Sequence, residues 1–273
     1  MITEQHHYNF QVQLLITLIT LFVLAFVIFF AITFISRYKK IKKTELKTSY
    51  HKIVDEILFK ILFDENTTVE SASDYFKAEV IPTKLIKKIS IKSINALHRN
   101  YSGELKKKLE EFYIKSDLVN YSLKKIDSLN WAKIVESIRD LSNLNYQPSF
   151  DKIYEKLNHS KEIVQKEAFI GVILLKGLDQ LIQLKDSKIY LDDWTQSNIL
   201  FVVKRNQMTI PDNIEALLKS KNETIVLLGA RLIEYFQLRQ YTPLLEQTIS
   251  NNKLTESKVK LHVILLRLQH IHF

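Results

Sequence analysis

Cysteine is absent from the chain, which excludes disulfides, cysteine-ligated zinc and thiol nucleophiles. Glycine and proline are scarce, four of each in 273 residues. Folds dense in turns and strands need many more of both, so the scarcity argues for helices. The glycines at 103, 171, 177 and 229 are also scattered. A phosphate-cradling loop needs several glycines within a few residues, so nucleotide binding of that kind is excluded. Charge of either sign is missing from one long stretch, Leu14–Ile35, whose only polar residues are Thr17, Thr20 and Thr33.

That stretch predicts a transmembrane helix. About 20 apolar residues cross a hydrocarbon core of roughly 30 Å, and each threonine can donate back to a carbonyl one turn earlier. A cleaved signal peptide fits poorly, because no Lys or Arg precedes the apolar run and no small-residue cleavage site follows it. On its C-terminal side stand Arg37, Lys39, Lys40, Lys42 and Lys43, against Glu4 and two histidines ahead of it. Positive residues stay in the cytoplasm, so the C-terminal domain is expected there, anchored to the inner (cytoplasmic) membrane by a single pass. Tyr8, Phe10 and Tyr38 are then expected near the two interfaces.

The boundaries that follow are an extracytoplasmic N-terminus at 1–13, a span at 14–36, a basic juxtamembrane region at 37–101 and a repeat domain at 102–273. Residues 37–130 hold 20 Lys and Arg against 13 Asp and Glu. The net charge of +9 therefore lies mainly in the half nearest the bilayer. Basic residues held near anionic headgroups contribute about 1 kcal/mol each, screened beyond roughly 8 Å.

From Thr44 to Phe63, apolar residues at 46, 50, 53, 57 and 61 have helical spacing and predict an amphipathic helix. Polar residues at Asp64–Ser73 read as a linker. After Pro82, the run Thr83–His98 is again helical, with lysines at 84, 87, 88 and 92 turned mostly one way. No aromatic residue interleaves those lysines to stack bases, which argues against nucleic acid.

The C-terminal half repeats. Pro148, Pro211 and Pro243 precede Val164, Val226 and Val259 by 16, 15 and 16 residues. Proline is tolerated in a helix's first turn, so each marks the start of a first helix. Those helices carry Phe150, Ile153 and Leu157; Ile214, Leu217 and Leu218; and Leu244, Leu245 and Ile249. In the second helices Val164 and Ala168, Val226 and Ala230, and Val259 and Val263 share one face, with Glu167 and Arg231 turned to solvent. A weaker unit spans Leu178–Asn206, in which Asp192 reads as a helix cap and Trp194 as core. Upstream, Leu105 to Ile126 forms a further pair, followed by an extra helix from Trp131 to Leu144.

The segment Lys156–Leu184, KLNHSKEIVQKEAFIGVILLKGLDQLIQL, resembles a HEAT repeat, and the likeness extends over Ser102–Leu268. The resemblance implies an all-α fold, with the transmembrane helix followed by an α-solenoid of HEAT-like helix pairs that binds a protein partner. Where such repeats carry an arginine after the valine of the second helix, this chain has Gln165, Leu227 and Lys260, which puts the usual polar ladder between repeats in doubt. One membrane helix followed by such repeats also resembles a kind of bacterial membrane protein with no settled biochemical role. On the second-helix faces, Gln165, Lys166, Arg231, Lys258 and Lys260 are the candidate partner contacts.

No chemistry-bearing constellation accompanies this pattern. His270 and His272 fall on different helix faces, His262 lies two turns away, and His6 and His7 stand before the span, so no zinc site is expected. Adjacent carboxylates at 64–65, 110–111 and 192–193 point apart on a helix and make no acid–base pair. No catalytic, cofactor-binding or metal residue is assigned, and the chain reads as a non-enzymatic scaffold. The alternative is a module acting on anionic lipid headgroups or nucleic acid.

Overall fold

One helix, α1 (Ile2–Phe63), carries the apolar stretch and then runs on into the domain. No glycine or proline occurs along it, so nothing breaks the i to i−4 hydrogen-bond series. The structure is a computed structural model that describes residues 2–80, 83–251 and 255–270. Pro82, His272 and the side chains of His6, His7, Tyr8, Phe10 and His270 lie outside the described residues. The Thr17 and Thr20 hydroxyls donate to the carbonyls of Gln13 and Ile16, each at 2.8 Å. The most apolar window of α1 has a mean hydropathy of 3.1 and none of it is buried. It is therefore long and apolar enough to cross a membrane and does not serve as a core helix.

Residues 36–49 of α1 are exposed on every side. Fourteen residues of helix make about 21 Å of stalk. One face then goes under, burying Val54, Ile57, Leu58, Ile61 and Leu62. Leu46, expected on this stripe, is exposed because no neighbouring helix reaches it.

The turn after α1 is shorter than the linker read from the sequence. Asp64 closes it by accepting from the Asn66 amide and the Thr67 hydroxyl. Thr68 then caps α2 (Val69–Ala78), accepting from the Ser71 amide. Of the residues read as linker, 64–68 form the turn and 69–73 open α2, where Glu70 and Ser71 are exposed and Ala72 and Ser73 are buried with Phe76. Helix α3 (Lys84–His98), capped by Thr83, runs beside α1 in the same direction. Ser93 stands opposite Asp55, and the Tyr101 ring meets that of Phe63 with centroids 6.1 Å apart.

Three helices follow, α4 (Gly103–Lys115), α5 (Leu118–Ile126) and α6 (Trp131–Asn143). Helix α4 packs on α1 and α2, and α5 on α6. Beyond them lie α7 (Phe150–Glu155), α8 (Glu162–Lys176), α9 (Asp179–Gln183), α10 (Asp193–Arg205), a 3-10 segment (Ile214–Lys219), α11 (Glu223–Tyr235), α12 (Thr242–Asn251) and α13 (Thr255–His270). Contacts run from α6 to α8, α8 to α10, α10 to α11 and α11 to α13. No strand occurs among the described residues, and one hydrophobic cluster extends from Val54 to Leu268.

The expected phase holds in full only at Pro148 and Val164; it slips at Pro211 and again at Val259. Pro148 and Pro243 stand in first turns, whereas Pro211 lies three residues ahead of a 3-10 segment rather than an α-helix. Val164, Ala168, Val226 and Ala230 are buried. Close approach is sharpest at the neighbouring glycines. A Cβ at Gly229 would fall 2.6 Å from Leu217 Cβ, and one at Gly171 would fall 3.0 Å from Ile138 Cγ2. In α13, however, Val259 is 60% exposed and Val263 is exposed too. Leu261, Ile264, Leu265 and Leu268 are buried instead, because the helix is turned by about two residues and only one of its faces has neighbours among the described residues.

Candidate functional site

Helices α6, α8, α10, α11 and α13 are tied together by charge. Arg139 of α6 pairs with Glu167 of α8 at 2.6 Å, and Lys166 of α8 with Asp192 at 2.6 Å. Asp193 of α10 accepts from Arg231 of α11 at 2.6 Å and from Lys260 of α13 at 2.9 Å. Glu234 and Arg267 link α11 to α13 again at 3.3 Å. These pairs form a series of charge contacts from α6 to α13, in which Lys260 alone stands directly after the valine of its helix. Glu167, expected to face solvent, is buried against Arg139, and Arg231 is held by Asp193.

Asp192 shows why the helices meet in this way. As the cap of α10 it accepts from the Thr195 amide at 2.7 Å. The Lys166 ammonium and then that amide hold its carboxyl well below the usual range, at about 2. Asp193 is lowered too, by its hydrogen bonds from Lys260 and Arg231. Trp194, read as core, is 68% exposed because α10 turns its first turn outward around this pair. Asn222 likewise caps α11 through the Thr224 amide, while its Nδ2 donates to the carbonyls of Ser187 and Ile189.

Of the five expected partner contacts, Lys166, Arg231 and Lys260 are thus engaged within the chain. Gln165 Nε2 donates to the His159 carbonyl at 2.6 Å. Lys258 is exposed and has no ion pair among the described residues. The membrane-proximal residues Arg37, Lys39, Lys40, Lys42 and Lys43 all lie exposed on the stalk. Lys42 sits 5.0 Å above the Tyr38 ring.

A second surface carries two further cations, Lys92 and Arg99, that have no carboxylate partner among the described residues. Between α3 and α6 opens a half-open groove of about 460 Å³. The two helices run the same way along it, with Lys88 opposite Glu136 (3.6 Å) and Asn95 opposite Asp140 (3.2 Å). On its floor Asp140 also accepts from Lys125 (3.1 Å) and Ser122 (3.3 Å). Burial pushes the Asp140 carboxyl above its usual range, with Lys125 opposing. The Asn95 Oδ1, buried beside it, has no partner among the described residues.

One end of the groove is apolar, with Trp131, Ala132 and Ile163. At the other end Arg99 stands beside Asn143, and Asn143 accepts from Arg205 of α10 at 3.1 Å. Arg205 is half-buried, and that burial, followed by the neighbouring Arg99 charge, weakens its hold on its proton. Neither guanidinium, nor Lys92 on the groove wall, has a carboxylate partner among the described residues.

No family model, curated protein or solved structure matches the chain. The HEAT likeness therefore rests on sequence pattern, and the site must be read from its own geometry. Among the described residues no three His, Asp or Glu side chains are placed to hold a metal ion.

Sequence reasoning noticed the α3 lysines but missed the groove. The stripe continues to Arg99, one residue past the segment read as helical. Its aromatic comes from α6, 32 residues beyond Arg99, rather than from between the lysines. The signal was three-dimensional.

Proposed function

We propose that this chain is a membrane-anchored, non-enzymatic scaffold, in which an α-solenoid of HEAT-like helix pairs holds a protein partner beside the inner (cytoplasmic) membrane. The observation that carries this reading is α1, whose unburied apolar stretch passes through an exposed stalk into the domain core without a break. A cleavable leader would share no core with the domain. A helix that is span, stalk and core element at once fixes the height at which the domain is presented. The succession of contacts α6, α8, α10, α11, α13 and the ion pairs across it support a solenoid, whose long side surfaces suit protein binding. Tethering raises the local concentration of whatever such a surface holds.

The second reading, a module for anionic lipid or nucleic acid, is favoured by the net charge of +9. One experiment separates the two. The full chain is purified from native membranes in mild detergent, and stoichiometric companions are identified beside a binding assay on anionic vesicles and oligonucleotides. The scaffold reading expects a protein companion. A companion-free chain that binds vesicles or oligonucleotides through its soluble part overturns it.

A further inference from the structure

We infer that the groove between α3 and α6 docks a short acidic segment of the partner protein, with its carboxylates on Arg99 and Arg205 and an apolar side chain seated against Trp131 and Ile163. This rests on the scaffold reading and names the chemistry of its partner. Charge complementarity carries the argument. Lys88 is matched by Glu136, Lys125 by Asp140 and Arg139 by Glu167, which leaves Lys92 on the wall and Arg99 at one end uncompensated, with Arg205 of α10 bordering that end through Asn143. A half-buried guanidinium beside another, with no counter-anion among the described residues, is a site arranged for a ligand's negative charge.

Dimensions choose between the anions. From Trp131 to Asn143 along α6 the groove runs about 18 Å. Five or six residues of extended chain cover that length. A lone phosphate would use only the basic end. A small ligand also needs an enclosed pocket, whereas a groove open along one side suits a chain segment. Lipid headgroups are out of reach. The pairing of Asp55 with Ser93 and of Phe63 with Tyr101 sets Arg99 level with Ile61 of α1. That is 26 residues beyond Ile35, about 39 Å, and a tilt of 40° still leaves roughly 30 Å. A nucleic acid strand needs successive stacking platforms, and among the described residues Trp131 is the one aromatic lining the groove.

The test uses the full chain in detergent micelles and a fluorescein-labelled six-residue peptide with one terminal leucine and three glutamates. The binding constant is read by anisotropy. In a Trp194→Phe background Trp131 is the sole tryptophan, and its emission should shift on binding. R99A/R205A should weaken the complex about tenfold or more, as loss of two charge-assisted hydrogen bonds implies. The glutamine version of the peptide should fail to bind, and the exposed Lys204→Ala should change nothing.

Equal affinity in R99A/R205A, a silent Trp131, or no binding at millimolar peptide overturns the inference. So does stronger competition from inorganic phosphate, an oligonucleotide or anionic vesicles than from unlabelled peptide. Arg99 is exposed and Arg205 only half-buried, so the double variant should keep its helical signal, and Arg205→Lys should recover part of the binding. Native-membrane purification separates the two readings. If the wild type brings down a stoichiometric companion and R99A/R205A brings down as much of it, the groove fails and the scaffold stands. If the wild type has no companion, the scaffold reading fails.

Discussion

Gly229→Ala probes the packing of α11 on the 3-10 segment Ile214–Lys219 through two opposed effects. Replacing glycine by alanine inside a helix favours the fold by about 1 kcal/mol. The added Cβ, however, falls 2.6 Å from Leu217 Cβ and 3.6 Å from the carbonyl carbon of the same residue. Neither atom is the free end of a side chain, so the two backbones must part, and overpacking of this kind costs about 1 to 3 kcal/mol. The net is a loss of up to about 2 kcal/mol, at roughly 2 to 4 °C per kcal/mol for a domain of this size. Gly171→Ala is the internal comparison. Its Cβ meets methyl groups of Ile138 and Ile153 at 3.0 and 3.1 Å. Those can yield by a few tenths of an ångström, so crowding and propensity cancel to within about 0.5 kcal/mol. Urea unfolding of the full chain in micelles, followed by circular dichroism, measures the difference. Hydrogen exchange locates it, with protection lost over 214–251 and 255–268 before 103–143. Gly229→Ala as stable as Gly171→Ala would refute the reasoning.

Lys125→Met should cost about 3 to 5 kcal/mol by stranding the buried Asp140 carboxylate, and adding Asp140→Leu should recover much of it in a double-mutant cycle. Because Asp140 holds its proton more readily folded than unfolded, the single variant's deficit should shrink as pH falls from 7 towards the ordinary 3.8; a pH-independent deficit argues against a buried charge. Asp192, held near 2, contributes stability that is present above its ordinary 3.8 and is lost as pH falls through about 2. Lys166→Ala should raise its carboxyl midpoint towards 3.8 by carbon NMR, and an unmoved midpoint would mean the 2.6 Å pair is not populated. A phosphatase fused after Phe273 should be inactive if the basic stalk is cytoplasmic, and neutralising Arg37, Lys39, Lys40, Lys42 and Lys43 should weaken that preference.

Local signals in the sequence carried local structure. The charge-free run, the threonine back-bonds at 17 and 20, the cap at Asp192, and the small residues at 168 and 230 each depend on neighbours within a turn or two, and each was legible. Features that depend on partners elsewhere were not. Trp194 is a large apolar residue by type, but no described residue covers the face of α10 that carries it. Val259 continues the sequence phase of Val164 and Val226, yet the phase of a terminal helix is set by its single packed face. Glu167 looks solvent-facing on a helical wheel, and only the fold supplies the Arg139 that lets it go under. The groove escaped for the same reason, since its basic end draws on Arg99, Asn143 and Arg205 from three helices.

The central claim is that α1 is anchor, stalk and core element in one unbroken helix. The absence of native cysteine makes the test clean, since each single cysteine introduced between positions 14 and 62 is the sole target of a membrane-impermeant maleimide. Labelling is compared in intact cells and inside-out vesicles. The account predicts no labelling at 14–35, labelling at every position from 37 to 49 in inside-out vesicles only, and then a helical alternation. In that last part Lys52, Asp55, Glu56, Phe59 and Lys60 react, while Val54, Ile57, Leu58, Ile61 and Leu62 are protected. Uniform reactivity beyond position 50, or labelling of the stalk from outside intact cells, would contradict it.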